Sequence, residues 1–431
     1  MIRFELVKLL AQWRIRVVLL VCAVLPAVFV LVISRQSSLP ADTVFGRQLP
    51  ATGWAGSLVV LSFACSWGLP LLTALVAGDV FAAEDRLGTW RHLVVAVRSP
   101  RRIYLAKALA AAAVLVLLLV LLGVSSVVGG LSGAGAHPLT GLDGHQLSSA
   151  TAGRTVLLAW LCVLAPTAAF GAVGLLGSVL FGRSPVGLAL PALLALGLAL
   201  AQLLPLPVAL RLALPSEALL GWRGLFTDPA STGGLWAGVV VCLVWAVVAT
   251  VAGYLVFLRR DFTDTAYDGS TRRTLLAAGL PLGALLVVAS AGLAAAGAGT
   301  GPGIDRAGLQ ESVATSFAHL YRLQTDQLHR PAVTEAQLRT RARCTKGTRG
   351  GTAPAQSGPG SDWRCIVSWR LPGSAAVGRA TYQLDVTADG KYVADGDGPK
   401  EVNGSFTVRT PTGDSPNPLW QFDGLVDLLP R

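Results

Sequence analysis

Seven long apolar segments constrain the fold of this chain more than any other feature of its sequence. They lie at roughly 17–34, 56–77, 103–128, 155–181, 186–206, 235–258 and 274–298. A helix needs about 20 mostly apolar residues to cross a bilayer, and each segment approaches or exceeds that length. Charged residues make up only 14% of the chain, which is too few for a soluble protein. The sequence therefore predicts an all-α polytopic membrane protein.

The distribution of lysine and arginine predicts the orientation of these spans. Positive residues are concentrated in 1–16, 78–107 and 259–273, whereas the opposite short loops hold only Arg35, Arg47, Arg154, Arg211 and Arg223. Short loops rich in positive charge stay on the cytoplasmic side. We therefore expect a cytoplasmic N-terminus, and seven spans then place the C-terminal residues outside the membrane.

The net charge of +11 raises the question of nucleic-acid binding. The positive residues border the apolar segments and form no basic face interleaved with aromatic residues. That distribution is typical of membrane topology and argues against contact with a phosphate backbone. We expect membrane lipid, and no nucleic acid, as a partner. The abundance of arginine, alanine, glycine and leucine hints at a bacterial gene, and hence at the bacterial plasma membrane.

The composition changes after Ala296, where a glycine-rich linker leads into a different pattern. A helix is predicted from Asp305 to about Leu328, and strands are predicted from Trp363 onwards, with a hairpin turn at 388–390. The Gly/Pro/Ser-rich residues 347–361 are interpreted as a flexible insert. The sequence thus predicts a small α+β extracytoplasmic domain at the C-terminus.

The six cysteines divide into two groups. Cys22, Cys65, Cys162 and Cys242 lie singly within apolar segments and are interpreted as small core residues. Cys344 and Cys365 flank the 347–361 insert, and in an oxidising compartment we expect them to form a disulfide. A pair of free thiols is the alternative.

The sequence contains no convincing catalytic, nucleotide or metal motif. The five histidines are scattered; His137 and His145 share a loop with Asp143, but no fourth metal ligand is evident. Residues 177–184 imitate a phosphate-binding loop, yet arginine replaces its lysine and it follows an apolar helix instead of a strand. We therefore predict no cofactor, no metal and no catalytic residue in this chain.

Two amphipathic stretches and one apolar loop lie between or before the spans. Residues 1–16 are interpreted as an interfacial helix, for which simple membrane anchoring is the alternative role. The loop 207–234 is interpreted as a surface hairpin held at the headgroups by Trp222 and Phe226, with a re-entrant helix as the alternative.

The charged stretch 78–107 is the candidate functional segment. Leu87, Trp90, Leu93, Val94 and Val97 recur at helical spacing, and charged residues fall off that stripe, which predicts an amphipathic helix over 82–97. Ser99 and Pro100 then read as the N-cap and first residue of the next helix. An ordinary loop at the headgroups would show the same spacing.

A short motif within 78–107 resembles a known family. An acidic residue follows the second span, a Gly-Thr pair comes next, and a basic Ser-Pro turn leads to a lysine at the third span. In this chain these are Glu84, Gly88-Thr89, 98–102 and Lys107. Together with the basic N-terminal helix and the six-span core, they resemble the permease subunits of type-2 ATP-binding-cassette (ABC) exporters over roughly 1–260.

The resemblance implies a transport function that is driven from outside this chain. A separate cytoplasmic ABC ATPase would dock on a coupling helix at 78–100, and a second permease copy, identical or different, would complete the pathway. The chain itself would not be an enzyme. The implied ATPase-coupling residues are Glu84, Asp85, Arg86, Thr89, Trp90, Arg91, Arg98, Arg101 and Arg102, with Trp90 also packing on the bundle.

The resemblance also implies a division of the chain into three parts. Residues 1–260 would form the permease core, 261–298 a cytoplasmic loop and seventh span, and 299–431 the extracytoplasmic domain. Two other functions compete with export. An ion-coupled transporter is disfavoured because the apolar segments hold almost no charge, and a membrane-anchored protein that binds a wall component or partner is the other alternative.

Overall fold

The computed structural model describes residues 1–35, 43–181, 192–194, 196–198, 200–201, 204, 206–260, 271–299, 301, 303–347, 357–397, 404–411 and 413–429. Its larger part is a bundle of apolar helices, and its smaller part is a C-terminal sheet with a helix. A polytopic membrane protein with a small additional domain, as predicted from the sequence, is confirmed.

The helices of the bundle follow one another in chain order. They are α1 (Ile2–Ala11), α2 (Trp13–Ile33), α3 (Gly53–Phe63), α4 (Leu69–Ala77), α5 (Ala82–Leu87), α6 (Trp90–Val97), α7 (Pro100–Ala134), α8 (Ser149–Cys162), α9 (Leu164–Phe181), α10 (Val208–Leu212), α11 (Gly233–Leu258) and α12 (Thr271–Ala295). A π-helical turn, Ala64–Gly68, joins α3 to α4. The strands β1 (Leu139–Thr140) and β2 (Gln146–Leu147) form a short hairpin between α7 and α8.

Five helical stretches of the described chain are long and apolar enough to span a membrane. They are Trp13–Ile33, Gly53–Leu87, Pro100–Ala134, Ser149–Leu180 and Gly233–Leu258, and Gly279–Ala295 is a shorter apolar helix. These correspond to six of the seven predicted segments. The remaining one, 186–206, lies mostly outside the described residues, as do most of the loop 259–273 and of the insert 347–361.

Helix α7 lies at the centre of the bundle and packs against α1, α2, α3 and α9. Glycines set its closest approach: a Cβ at Gly53 or at Gly130 would lie within 2.4 Å of the other residue's backbone. No side chain fits between α3 and α7 there. Small residues of this kind allow close helix packing in membranes.

The C-terminal domain begins with α13 (Arg306–Gln327) and the short α14 (Glu335–Leu338). Five antiparallel strands follow in the order β3-β4-β5-β6-β9, and β7 pairs with β8 as a separate hairpin. The strands are β3 (Arg341–Lys346), β4 (Gly360–Arg370), β5 (Val377–Val386), β6 (Lys391–Gly396), β7 (Thr407–Thr410), β8 (Gly413–Pro416) and β9 (Gln421–Leu425). The predicted helix and the hairpin turn at 388–390 are both confirmed.

Helix α13 covers one face of the five-stranded sheet. Leu309, Val313 and Phe317 are fully buried against inward-facing strand residues, among them Trp363 and Tyr382. Cys344 and Cys365 lie opposite each other on β3 and β4 and form the predicted disulfide. This core and the disulfide hold the sheet together.

The interpretation of 207–234 as a surface hairpin at the headgroups is wrong. Trp222 and Phe226 are both completely buried, and each ring packs against Phe45 from the loop after α2. The C-terminal domain lies over this region, because Asp389 accepts a hydrogen bond from Arg223 at 2.6 Å. Trp222 and Phe226, which are residue types common at the membrane interface, therefore form part of the buried core between these loops.

Candidate functional site

The segment 78–107 folds as two short helices, not as the single amphipathic helix predicted over 82–97. Gly88 ends α5 with a φ of 64°, in the left-handed region that favours glycine, and α6 starts at Trp90. Leu87 lies before this break and is 63% exposed, so it does not belong to the buried stripe. Ser99 stands at the N-cap and Pro100 at the first position of α7, as predicted.

Trp90 anchors α6 on the bundle. It is buried among Phe81, Tyr104 and Phe257, whose rings pack against it or against one another. Its indole Nε1 donates to Asp85 at 2.7 Å. The segment 78–107 is thereby fastened to helices α7 and α11 by one aromatic cluster.

Glu84 lies in a buried ion network centred on Lys107, which we call the Lys107 network. Glu84 is 1% exposed, and its carboxylate accepts a hydrogen bond from Lys107 Nζ at 2.7 Å and further bonds from Lys8 and Thr89. Lys107 Nζ also donates to Glu5 Oε2 at 3.0 Å. One buried ammonium group therefore joins α1, α5 and α7.

Further ion pairs extend the Lys107 network around the same end of the bundle. Asp79 is buried and binds Arg14 at the start of α2, and Arg86 Nη1 lies 3.5 Å from its carboxylate. Asp85 binds Arg260, which follows α11. The backbone N–H groups of Phe81 and Ala82 both donate to Ser178 Oγ at 3.0 Å. The segment is thus tied to α1, α2, α7, α9 and α11.

The remaining predicted coupling residues are exposed. Arg86, Arg91, Arg98, Arg101 and Arg102 all face away from the core. Val95 is 75% exposed beside them. The predicted set therefore separates into a buried group, Glu84 and Trp90 with the partly buried Asp85 and Thr89, and an exposed basic group.

Sequence reasoning missed several members of the Lys107 network. The sequence places Glu5, Lys8 and Arg14 only in an interfacial helix and Lys107 only at the start of the third span, and its patterns single out no role for Asp79. A signal was present: acidic residues are rare in this half of the chain, and Asp79 lies only two residues after a predicted span. Such a residue at the membrane needs a cationic partner.

A second cluster lies at the opposite end of the helices, where the C-terminal domain meets the loop 137–148. His319 of α13 is 5% exposed, and its Nδ1 lies 3.1 Å from the carbonyl oxygen of Asp143 and 3.3 Å from the Asp143 carboxylate. His145 also binds that carboxylate, and His319 Nε2 lies 3.2 Å from Glu335. We call these four residues the His319 cluster.

The charges of the His319 cluster support one another. Burial alone would lower the pKa of His319, but the hydrogen bonds and charge of Asp143 and the charge of Glu335 raise it above its ordinary value. Burial alone would raise the pKa of Asp143, but hydrogen bonds from His145 and His319 hold it well below its usual range. The cluster therefore favours a charged pair that joins the two parts of the chain.

The His319 cluster does not have the arrangement of a metal centre. No group of three or more His, Cys, Asp or Glu residues in the described chain could hold a metal ion. Asp143 Oδ2 instead accepts from the backbone N–H of Asp228 at 2.7 Å, which ties a third loop to the cluster.

Comparison with known proteins bears on the half of the molecule that carries the Lys107 network. Residues 1–169 match the family model described as ABC-2 family transporter protein. The match contains α1 to α7, and with them the whole segment 78–107. The resemblance predicted from the sequence is confirmed for this part of the chain. No curated protein and no solved structure matches.

Proposed function

We propose that this chain is the permease subunit of an ATP-driven exporter whose ATPase is a separate cytoplasmic protein. The match of residues 1–169 to an ABC-2 transporter family supports a membrane permease component. Proteins of that family are transport subunits and not enzymes themselves. The energy for transport would therefore come from ATP hydrolysis on the partner.

The observation that carries the proposal is the Lys107 network beneath an exposed basic surface. Through Glu84 and Asp85, a force applied to α5 would reach α1, α7 and the end of α11. The turn that precedes α5 adds α2 through Asp79 and α9 through Ser178. Buried ion pairs of this kind require defined geometry, since each charge is costly to leave unpaired. The segment can therefore transmit a displacement to the spans instead of yielding locally.

The docking surface for the ATPase is the exposed side of 78–102. Arg91, Arg98, Arg101 and Arg102 supply its charge. We expect the matching surface of the ATPase to be acidic, because complementary charges steer association and fix the orientation of partners. Glu84, Thr89 and Trp90 would act on coupling from within, by holding α5 and α6 in position.

The orientation and division of the chain complete the proposal. The Lys107 network would face the cytoplasm, and the C-terminal domain with the His319 cluster would lie outside the membrane. Residues 1–260 would form the permease core, 261–298 the loop and seventh span, and 299–431 the outer domain. A second permease copy would enclose the substrate pathway with the first.

Charge reversal on the exposed surface tests the coupling proposal. The full chain is coexpressed with its ABC ATPase, and complex recovery and ATP hydrolysis are compared for wild type and for Arg91→Glu with Arg98→Glu. We expect both to fall. The matched control is Arg330→Glu with Arg409→Glu, which reverses the same charge at exposed sites of the C-terminal domain. Equal losses in both variants, or none in either, would refute the docking surface.

Cysteine labelling tests the orientation separately. The four unpaired cysteines are buried, so an introduced cysteine would be the main target of a membrane-impermeant thiol reagent. In intact cells we expect Ser361→Cys to be labelled and Arg91→Cys to be labelled only after lysis. The reverse pattern would overturn the proposed orientation without affecting the docking test.

A further inference from the structure

The C-terminal sheet has one face without a covering element in the described structure. Helix α13 covers the face that carries Trp363, Cys365 and Val367, so alternate residues of each strand point away from it. On β3, β4 and the start of β5 most residues of this open face are exposed, and Ser368 and Thr381 are half-buried. Its residues there are Arg341, Arg343, Thr345, Arg364, Ile366, Ser368, Arg370, Val377, Arg379, Thr381 and Gln383.

Five of these residues are arginines, and they form a grid which we call the arginine face. The register places Ser368 between Arg341 and Arg379 in one row, and Ile366 between Arg343 and Thr381 in the next. Strand spacing separates Arg341 from Arg379 by about 10 Å, and Arg341 from Arg343 by about 7 Å along β3. Arg341 therefore has a second arginine both along its own strand and across the sheet.

Little negative charge balances the arginine face. Arg364 pairs with Asp397 at 3.0 Å, and this pair is exposed on both sides. The acidic residues Asp385 and Asp395 lie at the other end of the face, on β5 and β6. The exposed Asp362 also lies near Arg364, on β4. Arg341, Arg343 and Arg379 lie away from these carboxylates, and arginines grouped in this way on one surface create a positive potential that attracts an extended anion.

We propose that the arginine face binds a linear polymer with repeating phosphodiester groups outside the membrane. Guanidinium groups form two parallel hydrogen bonds to one phosphate, so the arginines of this face suit phosphodiester groups. The spacing allows successive phosphates of one extended chain to meet successive arginines. The outside location rests on the orientation proposed above, whereas the binding itself does not.

The headgroups of the protein's own membrane are a poor fit for this face. The opposite edge of the sheet is the one that contacts the bundle, because β9 binds Arg47 through Gln421 and Asp423. Strand β3 lies four strand spacings, or about 19 Å, from β9. Nucleic acid also fits poorly, because single strands bind through stacking on aromatic residues. No aromatic side chain lies on the described arginine face.

Binding to a defined polymer tests the proposal. The full chain, in nanodiscs of phosphatidylcholine, is titrated with fluorescent poly(glycerol phosphate) over a range of salt concentrations. We compare wild type with Arg341→Gln plus Arg379→Gln, and with the matched control Arg330→Gln plus Arg409→Gln. All four are exposed arginines of the same domain, so both variants lose the same charge.

We expect the logarithm of the wild-type binding constant to fall linearly with the logarithm of the salt concentration. Each lost phosphate contact lowers that slope by about 0.7, so the Arg341/Arg379 variant should lose about 1.4 and the control almost nothing. Equal losses in both variants, or no binding by wild type, would refute the proposal. Equal or tighter binding of dextran sulfate, a DNA oligonucleotide or phosphatidylglycerol vesicles would overturn the phosphodiester assignment.

Discussion

The Lys107 network and the His319 cluster both hold separate parts of the chain together, but they use different chemistry. The Lys107 network pairs lysine and arginine with carboxylates, and its central group is shared by Glu5 and Glu84. The His319 cluster joins the C-terminal domain to the loop 137–148 through an imidazole. Histidine is the side chain whose charge ordinarily changes between pH 5 and 8.

This difference means that the contacts at the two ends of the molecule depend differently on pH. Lysine and arginine keep their partners over the whole physiological range of pH, which suits a segment that must transmit force. A histidine pair weakens as the imidazole loses its proton. The His319 cluster, which is one of several contacts that attach the C-terminal domain, can therefore respond to pH, whereas the attachment of α5 and α6 should not.

Removing the central charge of the Lys107 network should have the largest effect. Lys107→Met leaves Glu5 and Glu84 buried without their shared partner, and breaking a buried pair costs about 3–5 kcal/mol. We expect a large fall in the thermal midpoint of the full chain in detergent. Arg102→Met is the matched control, because Arg102 lies in the same helix and is exposed. A similar midpoint in both variants would contradict the central role of Lys107.

Removing the disulfide should affect the other end of the molecule alone. Replacing Cys344 and Cys365 with serine opens a loop with a sequence separation of 21 residues. On the chain-entropy estimate this costs about 3 kcal/mol. Hydrogen exchange should accelerate in β3 to β5 and stay unchanged in α5 to α7. Faster exchange at both ends would show that the two regions are not independent.

A change of pH should affect the stability of the His319 cluster and leave that of the Lys107 network unchanged. The raised pKa of His319 means that its pair with Asp143 contributes fully below the ordinary histidine pKa of about 6.5 and is lost as pH rises through the raised value. The lowered pKa of Asp143 keeps its charge down to strongly acidic pH. The groups that face His319 are Asp143, His145 and Glu335, with Arg322 bound to Glu335.

His319→Gln provides the measurement for this pH dependence. We expect wild type to be more stable than the variant in mildly acidic buffer, and the difference to shrink as the buffer becomes alkaline. Hydrogen exchange of α13 and of loop 137–148 reports the effect locally. The same scan of α5 to α7 serves as the internal control. A difference between the proteins that is constant with pH would argue against the ion pair.

The sequence predicts the secondary structure of the molecule better than it predicts the Lys107 network and the His319 cluster. Five of the predicted apolar spans, α13, the hairpin turn at 388–390 and the disulfide are confirmed by the structure, and all but the disulfide follow from local composition and periodicity. The Lys107 network joins residues as far apart as Glu5 and Lys107, and Asp85 and Arg260, so spacing alone cannot pair them. The same holds for Asp143 and His319.

Two local predictions failed for reasons that the structure makes plain. A helical stripe through Leu87 ignored the left-handed conformation that Gly88 can adopt, and this conformation divides α5 from α6. Trp222 and Phe226 have the composition of an interfacial belt, but the C-terminal domain covers their loop. The first failure is one of local backbone conformation, whereas in the second, tertiary packing between distant segments overrode the local pattern.

The smallest effect is expected where an ion pair is exposed. Arg47 and Asp423 lie 3.5 Å apart, and both side chains keep some contact with solvent. Arg47→Gln should therefore change the free energy of unfolding by less than about 1 kcal/mol, since solvent and salt weaken such pairs. Thermal midpoints of this variant and of Lys107→Met, measured at low and at high salt, check the ranking. The Arg47 effect should shrink at high salt to what its hydrogen bond to Gln421 contributes, whereas the Lys107 effect should persist because Lys107, Glu5 and Glu84 are buried. Equal salt sensitivity in both variants would mean that burial does not distinguish the two kinds of attachment.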